Sequence, residues 1–330
     1  MVITRTPLRV SFFGGGTDLP DWFRTHGGAV LSTTINKFLF ISMRRMPPYW
    51  EFRNRFVYGS KTETVNSLDE IDHPAIREAL RFMKVPYGVD MNYNSDIPSR
   101  SGMGSSSAFT VGFMRALYAM QGRMVSDRRI AKEAIHVEQD LIKEAVGCQD
   151  QIAASFGGLN HIVFYEDNNF EVNPVTIHRK RLEDLNDHLL LVYTGVQRIA
   201  SRIEEKKINK MSEHKAELRA IQRYVDDALE LLNGEDPIEE FGGLLHETWL
   251  KKRKLSEDVT NENLDGLYET CRKNGAIGGK LLGTGAGGFM LIFVKPENRE
   301  EMIKAIPGYV PVPFVFDTTG SQVIYYQEEV

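Results

Sequence analysis

A loop rich in serine and glycine lies between a predicted strand and a predicted helix in the first half of the chain. It runs from Ile97 to Ala108, contains Gly102 and Gly104, and ends in three consecutive serines at positions 105–107. Helix N-termini carry unpaired N–H groups and the positive end of the helix dipole, so they bind anions, and glycine allows a close backbone approach. Serine hydroxyls at such a site can also contact a metal ion that rides on bound phosphates. The segment therefore predicts a phosphate-binding loop, although a flexible connector with ordinary serine caps is the alternative. It is not a Walker A loop, because no Gly-Lys-Ser or Gly-Lys-Thr sequence occurs.

Glycine is clustered rather than abundant in this chain. Nine of the 28 glycines lie in three short runs, at 14–16, 102–104 and 283–288. The last run contains a G-x-G-x-x-G pattern, but a dinucleotide-binding fingerprint must follow a strand and open a helix. Here we expect a helix before the run and a strand after it, which excludes the dinucleotide interpretation. A glycine loop that covers phosphates or a domain interface remains, beside the simpler reading of a tight turn.

Two acidic residues lie between these glycine runs. Glu138 falls on the apolar stripe of a helix predicted over 127–146, and a buried carboxylate needs a cation or a basic side chain. Asp150 follows twelve residues later, at the predicted start of the next helix. One carboxylate for Mg²⁺ and one beside a hydroxyl nucleophile form the minimum set for phosphoryl transfer. A buried ion pair and a helix-capping aspartate would explain the same residues equally well. The stripe is marked by Ile130, Ala134, Leu141 and Ala145.

The elements that must position these residues mix strands and helices without a strict alternating rhythm, which favours an α+β fold. The length of 330 residues predicts two domains, 1–175 with the phosphate loop and Asp150, and 176–330 with the third glycine run. Strands are predicted at 8–13, 29–35, 38–44, 89–94, 159–164, 189–193 and 289–294. Helices are predicted at 71–83, 104–121, 127–146, 149–156, near 196–233, 237–250 and 262–274.

Composition excludes several functional classes. The net charge of −5 provides no basic field to attract nucleic acid or an anionic membrane surface. The two cysteines, Cys148 and Cys271, form no CxxC motif, so neither a disulfide framework nor a zinc ribbon is expected. Apolar runs are strand-sized, and no secretory signal pattern opens the chain. We therefore expect a cytoplasmic protein that acts on small molecules, and its oligomeric state stays open.

Three motifs in this order resemble the GHMP kinase superfamily over essentially the whole chain: Pro7–Asp18, Pro98–Ala108 and Lys280–Gly288. Within the superfamily, Phe-Gly-Gly-Gly-Thr-Asp-Leu in the first motif, the later Gly-Cys-Gln-Asp-Gln, and Leu191–Gly195 are similar to the D-glycero-D-manno-heptose 7-phosphate kinases. Galactokinases usually carry Gly-Glu-His-Thr-Asp where this chain has Gly-Gly-Gly-Thr-Asp, and this difference argues against galactose.

The resemblance implies a fold and a place for the site. The N-terminal domain would be α+β with a left-handed βαβ crossover, and the C-terminal domain would be ferredoxin-like. The site would lie in the cleft between them.

The resemblance also implies roles for particular residues. Asp150 would face the anomeric hydroxyl of a sugar as a base, with Arg9 beside it to keep it ionised and to steady the transferring phosphoryl group. Ser106 and Glu138 would bind Mg²⁺. The phosphates of ATP would contact Ser101, Gly102, Met103, Gly104, Ser105, Ser106 and Ser107. The sugar would contact Gly15, Gly16, Thr17, Asp18 and, from the second domain, Gly285 and Gly287.

These roles imply an ATP- and Mg²⁺-dependent sugar 1-kinase that converts heptose 7-phosphate to the 1,7-bisphosphate. Arg198 could bind the phosphate of that substrate, because Arg202 and Lys206 follow at helical spacing, although a solvated basic face has the same pattern. A fucokinase-like or galactokinase-like enzyme is an alternative, as is a non-catalytic regulator that binds nucleotide and sugar. The combination of Arg9, Glu138 and Asp150 argues against the regulator, which needs no base.

Overall fold

The computed structural model describes residues 1–99, 101–196, 208 and 210–328. Its helices and strands form two sheets with helices packed on them. The strands are β1 (Val2–Phe13), β2 (Gly28–Arg45), β3 (Asn54–Tyr58), β4 (Lys61–Val65), β5 (Val89–Ser95), β6 (Leu159–Phe164), β7 (Phe170–Pro174), β8 (Leu189–Tyr193), β9 (Ala276–Leu281), β10 (Phe289–Val294), β11 (Val310–Val312), β12 (Phe316–Asp317) and β13 (Gln322–Tyr326). The helices are α1 (Pro20–His26), α2 (Pro74–Phe82), α3 (Ser105–Met120), α4 (Asp127–His136), α5 (Gln149–Phe156), α6 (Arg179–His188), α7 (Lys215–Asn233), α8 (Glu239–Lys252), α9 (Glu262–Lys273) and α10 (Arg299–Lys304).

The first sheet is organised around β1 and the 18-residue β2, which pair antiparallel. Strand β2 pairs with β6 over residues 28–33 and with β5 over residues 39–45, so its two halves have different neighbouring strands. Opposite Pro7, which has no N–H to donate, the register shifts and β2 carries two extra residues at 36 and 37. The strands predicted at 29–35 and 38–44 are therefore one bulged strand.

Three helices cover this sheet, and two of them carry the serines at 105–107 and Asp150 of the predicted site. Helix α3 follows the loop after β5, packs on β1 and β2, and is buried along most of its length. Helices α4 and α5 pack against α3 and against each other. The arrangement confirms the predicted sequence of strand, glycine loop and helix, and it brings the start of α5 to the start of α3.

The second sheet has the strand order β11-β8-β10-β9, and every neighbouring pair is antiparallel. Counted along the chain this is the order 4-1-3-2 of a ferredoxin-like domain, as expected. Side chains of β10 alternate between two cores. Phe289, Leu291 and Phe293 join a core that reaches into the first sheet, whereas Met290, Ile292 and Val294 pack in a separate core with α9. One strand thus couples the two sheets.

The end of the described chain returns to the first sheet. Strand β12 pairs with β2, and β13 pairs with β1. The boundary between residues 175 and 176 stays a prediction, and these pairings show that both sheets contain strands from the second half. None of the helices that the structure describes is long and apolar enough to cross a membrane.

Two predictions about regular structure are wrong near the site. The helix predicted over 127–146 ends at His136, and Val137–Leu141 form a π-helical turn in which the N–H of Ile142 donates to the Val137 carbonyl. The apolar stripe is misleading because Leu141 lies 37% exposed. The segment before the third glycine run is the strand β9, not a helix. Glycine is a poor strand former, but at Gly278 any Cβ would overlap the carbonyl of Gly242 in α8.

Smaller differences concern the ends of helices. Helix α2 begins at Pro74 rather than at residue 71, because proline is favoured in the first turn. Of the helix predicted near 196–233, the structure describes α7 and the short turn Met211–Glu213 before it. The other predicted helices and strands appear within a few residues of their expected bounds.

Candidate active site

The phosphate loop ends in the N-terminus of α3. Gly102 and Gly104 have φ of +81° and +73°, a left-handed backbone conformation that favours glycine. Gly104 is the N-cap residue, and no side chain of the described residues caps this helix. The N–H groups of the first turn are therefore offered by a 16-residue helix without a side-chain competitor, which suits an anion.

Arg9 and Asp150 form a bidentate ion pair beside this loop. Arg9 Nε lies 2.7 Å from Asp150 Oδ1, and Arg9 Nη2 lies 2.8 Å from Oδ2. Arg9 Nη1 donates to the carbonyl of Gly102 at 2.8 Å, so one guanidinium binds both the carboxylate and the loop. The Arg9 side chain is 5% exposed, whereas that of Asp150 is 24% exposed. The structure thus places the two residues side by side, as the resemblance implied.

The ion pair lies directly against the phosphate loop. A Cβ added to Gly104 would stand 3.2 Å from Asp150 Oδ2 and 3.3 Å from Arg9 Cγ. The backbone N–H of Arg9 also donates to the Met103 carbonyl at 3.2 Å. An anion on the loop would therefore have a fixed carboxylate as its neighbour, and the partly exposed face of that carboxylate is open to a hydroxyl group.

Glu138 is a buried carboxylate on the π-helical turn. Its Oε2 accepts hydrogen bonds from Ser107 Oγ at 2.8 Å and from Gln151 Nε2 at 2.5 Å. Its Oε1 is buried and has no hydrogen-bond partner in the part of the chain that the structure describes. Burial raises the pKa of the Glu138 carboxyl to about 7. The sequence correctly predicted a buried carboxylate, but it did not indicate Gln151 as its partner.

The serines at the start of α3 differ in their surroundings. Ser105 and Ser107 are buried, whereas Ser106, the predicted metal ligand, is exposed. Ser107 is the serine that contacts Glu138. The described residues contain no cluster of three or more His, Cys, Asp or Glu side chains that could hold a metal ion without further ligands.

Asp18 ends the first motif and is buried against the residues that precede Asp150. Its carboxylate accepts hydrogen bonds from the N–H of Gly16 at 2.9 Å and from the N–H of Gln149 at 3.3 Å. A Cβ on Gly147 would overlap Asp18 Oδ2, so the glycine there makes room for the carboxylate. The fold therefore joins the first motif to the residues just before Asp150.

The four residues before Asp18, at positions 14–17, differ in what surrounds them. The hydroxyl of Thr17 lies 2.8 Å from the Gly14 carbonyl and 2.9 Å from the Ala29 carbonyl, so it stabilises the turn. Gly14 could not carry a side chain, because a Cβ would overlap the Ala29 carbonyl. Gly15 has ordinary space around it, and Gly16 lies against Leu218 of α7.

The third glycine run connects β9 to β10 and reaches the phosphate loop. A Cβ on Gly288 would overlap the carbonyl oxygen of Ser101, so the two loops touch through backbone. Gly285 packs on Val259 and Gly287 packs on Val196, both in the second half of the chain. The run therefore closes on the site through Gly288, while the predicted sugar contacts of Gly285 and Gly287 stay predictions.

Lys280 is a residue at the site that sequence reasoning missed. It is 3% exposed, and its ammonium group donates to the carbonyls of Ser11 at 2.9 Å and Phe12 at 2.7 Å. Strand β9 is tied to β1 through this side chain. A single charged residue in a motif otherwise made of small and apolar residues was the available signal. Arg198, with Arg202 and Lys206, lies outside the described residues.

Comparisons with known proteins show the family of the chain. Residues 73–158 match the family described as GHMP kinases N terminal domain, and residues 228–311 match GHMP kinases C terminal. A D-glycero-alpha-D-manno-heptose 7-phosphate kinase of Campylobacter jejuni is 32% identical over 325 residues, which cover 93% of this chain and 94% of that protein.

Solved structures show the same fold. A D-glycero-D-manno-heptose 1-phosphate kinase of Bacteroides thetaiotaomicron superposes with a TM-score of 0.80 at 23% identity, covering 99% of this chain and 100% of that one. A putative sugar kinase of Campylobacter jejuni superposes with a TM-score of 0.68 at 27% identity, covering 98% and 97%.

Proposed function

The chain belongs to the GHMP kinases and is a phosphotransferase, and from this premise we propose that it phosphorylates the anomeric hydroxyl of D-glycero-D-manno-heptose 7-phosphate. ATP is the donor, and the product is the 1,7-bisphosphate. One observation carries the proposal: a carboxylate held by a buried arginine lies against a glycine loop that opens an uncapped helix. Such an arrangement suits a reaction in which a hydroxyl acceptor and a phosphate donor meet at one point.

Asp150 orients the attacking hydroxyl and accepts its proton. Its Oδ2 faces the loop, and its partial exposure leaves room for a substrate hydroxyl. Arg9 stabilises negative charge on Asp150 through two hydrogen bonds, and it lies close enough to the loop to interact with the transferring phosphoryl group. The amides at the start of α3 bind the donor phosphates. Catalysis in this class depends mainly on such positioning and charge stabilisation.

The residues fit a magnesium ion that is shared with the nucleotide. Glu138 has one buried carboxylate oxygen without a described partner, and serine hydroxyls lie at the start of the neighbouring helix. Magnesium is usually held by one or two carboxylates together with substrate phosphates, so a site with one carboxylate is sufficient. Glu138 and Ser106 would hold the ion, which would neutralise charge on the phosphates when bound.

The identity of the sugar is supported by two observations. The relative of highest identity reported above is named for heptose 7-phosphate, and the first motif lacks the glutamate and histidine that galactokinases usually carry. Asp18, fixed beside Gln149, would accept hydrogen bonds from sugar hydroxyls. The phosphate of the substrate would require a second cationic contact, for which Arg198 is the sequence-based candidate.

A substrate panel tests the proposal. The purified chain is incubated with ATP, Mg²⁺ and, in separate reactions, heptose 7-phosphate, fucose, galactose or mevalonate, and ADP release is followed by a coupled assay. We expect turnover with heptose 7-phosphate to exceed that with the other acceptors by at least about a hundredfold. Phosphorus NMR should show coupling of the new phosphate to the anomeric proton. Equal turnover with a free sugar, or phosphate on another hydroxyl, would reject this substrate.

A further inference from the structure

Two buried polar groups near the ion pair have no role in the mechanism above. Ser11 is 5% exposed, and its hydroxyl oxygen has no hydrogen-bond partner among the described residues. The side-chain oxygen of Gln149 is likewise buried and unpaired in the described part of the chain. Buried polar atoms in native proteins are nearly always paired, because an unpaired one retains the cost of leaving water. Both groups therefore call for a partner.

Both groups belong to the segments that carry the ion pair. Ser11 lies two residues after Arg9 on β1, so their side chains project from the same face of the strand. Gln149 immediately precedes Asp150 at the start of α5, and its backbone N–H is held by Asp18. The two unpaired groups are thus attached to the elements that position the proposed base and the proposed sugar ligand.

The two side chains also approach the same residue, Gly15. A Cβ placed on Gly15 would stand 3.9 Å from Gln149 Nε2 and 3.9 Å from Ser11 Oγ, and apart from its chain neighbours Gly14 and Gly16 no other described residue comes within 4 Å. Gly15 is not in the left-handed region, unlike Gly14 and Gly16. Neither backbone geometry nor packing inside the protein therefore requires glycine at position 15. The position that a Cβ would take on Gly15 therefore lies beside two polar side chains and is free of packing contacts closer than 3.9 Å.

We propose that Ser11 and Gln149 bind hydroxyl groups of the acceptor sugar, and that Gly15 leaves the space that this part of the sugar enters. The inference rests on the proposed function and adds two specificity-determining residues to it. Serine hydroxyls and glutamine amides both donate and accept hydrogen bonds, as sugar hydroxyls do. A site whose buried polar groups pair with a substrate hydroxyl discriminates strongly against an analogue that lacks it.

Three single variants test the proposal: Ser11→Ala, Gln149→Met and Gly15→Ala. Each should raise KM for the sugar by about tenfold to a hundredfold, while KM for ATP stays within about twofold. Calorimetric titration of heptose 7-phosphate into each variant, with a non-hydrolysable ATP analogue present, should show the same weakening. Gly15→Ala separates binding from folding, because its methyl group has room in the protein and its Tm should match that of the unmodified chain.

Monodeoxy sugars identify the individual contact. The unmodified enzyme should discriminate against the deoxy heptose 7-phosphate that lacks the hydroxyl bound by Ser11, and Ser11→Ala should lose that discrimination. Ser155→Ala is the matched control, because this buried hydroxyl bonds the Gln151 carbonyl at 2.7 Å within α5, and sugar KM should not change.

The inference is overturned if all three variants keep sugar KM within twofold, or if their KM for ATP rises equally. Failure of the proposed function looks different. In that case the unmodified chain itself shows no turnover with heptose 7-phosphate, and the same variants are then measured on whichever panel sugar it accepts. A change in sugar KM there would uphold the roles of Ser11 and Gln149 with another substrate.

Discussion

Replacing Asp150 by asparagine separates the two contributions of the ion pair, structural and chemical. The substitution keeps the shape of the side chain and removes its charge. Arg9 would keep its bond to the Gly102 carbonyl and one bond to the amide oxygen, and it would lose the second bond to a carboxylate. Because the guanidinium is nearly buried, loss of this charge-assisted bond should cost about 1.5–3 kcal/mol of stability.

This loss of stability does not by itself lower turnover as long as the enzyme stays folded, so we expect the loss of turnover to come from the missing base. A positioned general base contributes about 10²–10⁴-fold to rate, which corresponds to roughly 2.7–5.4 kcal/mol of the activation barrier. We therefore expect kcat for the sugar to fall by that factor in Asp150→Asn. Binding of ATP, measured by calorimetry without sugar, should stay within about threefold, because the amides at the start of α3 are unchanged.

Asp90→Asn is the matched control. Asp90 is buried on β5 and accepts bonds from Arg55 at 2.8 and 2.9 Å and from Arg44 at 2.8 Å, far along the strand from the phosphate loop. This variant should lose a few degrees of Tm and keep kcat within twofold. If both variants lose turnover equally, or if Asp150→Asn keeps kcat within about threefold, Asp150 is a structural residue and the assignment of the base is wrong.

Three further predictions concern the loop contact, the tie between the sheets and the thiols. Gly288→Ala would drive a methyl group into the Ser101 carbonyl, so the third glycine loop must withdraw by roughly 1 Å, and kcat/KM for ATP should fall by about a hundredfold. Lys280→Met removes two charge-assisted bonds between the sheets and should lower the free energy of unfolding in urea by about 2–3 kcal/mol. Burial raises the pKa of the Cys148 and Cys271 thiols to about 12, so neither should react with a disulfide reagent at pH 8 until the protein is unfolded.

Each of these predictions has a clear contrary result. Gly243→Ala, on α8 with open space around it, should leave kcat/KM unchanged, and equal activity of both glycine variants would show that the loop contact is unimportant. Lys273→Met, at an exposed position, should change stability by less than about 0.5 kcal/mol. Rapid reaction of either thiol in the native protein would contradict the burial seen in the structure.

The glycine loops show how far local sequence reasoning reaches. The loop at 102–104 was predictable because a strand, a glycine turn and a helix with serines at its start are short-range features. The loop at 283–288 was only partly predictable. Its preceding strand β9 contains two glycines that weaken any strand signal. The reason for Gly278, the close approach of α8, is a long-range contact.

The residue types of the site follow from the sequence, but their partners do not. Glu138 and Asp150 could be selected because buried or helix-starting carboxylates require a chemical reason, whereas Arg9 was indicated only by the family resemblance of its motif. The preference of Glu138 for Ser107 and Gln151 depends on the π-helical turn, which the apolar stripe concealed. A π-helical turn holds about one residue more than an α-helical turn and so changes the direction of the side chains, and for this reason helical periodicity could not give the surroundings of Glu138.

The sequence by itself determined the α+β class, the glycine turn that opens α3 and the kinds of side chain to which we assign the chemistry, because these depend on short stretches of chain. Only the tertiary structure decided which of them meet. Arg9 and Asp150 are 141 residues apart, Lys280 reaches back 269 residues to Ser11, and β13 returns to pair with β1. Contacts of this kind depend on how the sheets pack and on which backbones approach closely enough to need glycine. No local pattern records those distances, and for that reason Ser11, Gln149 and Gly15 came together only in the folded chain.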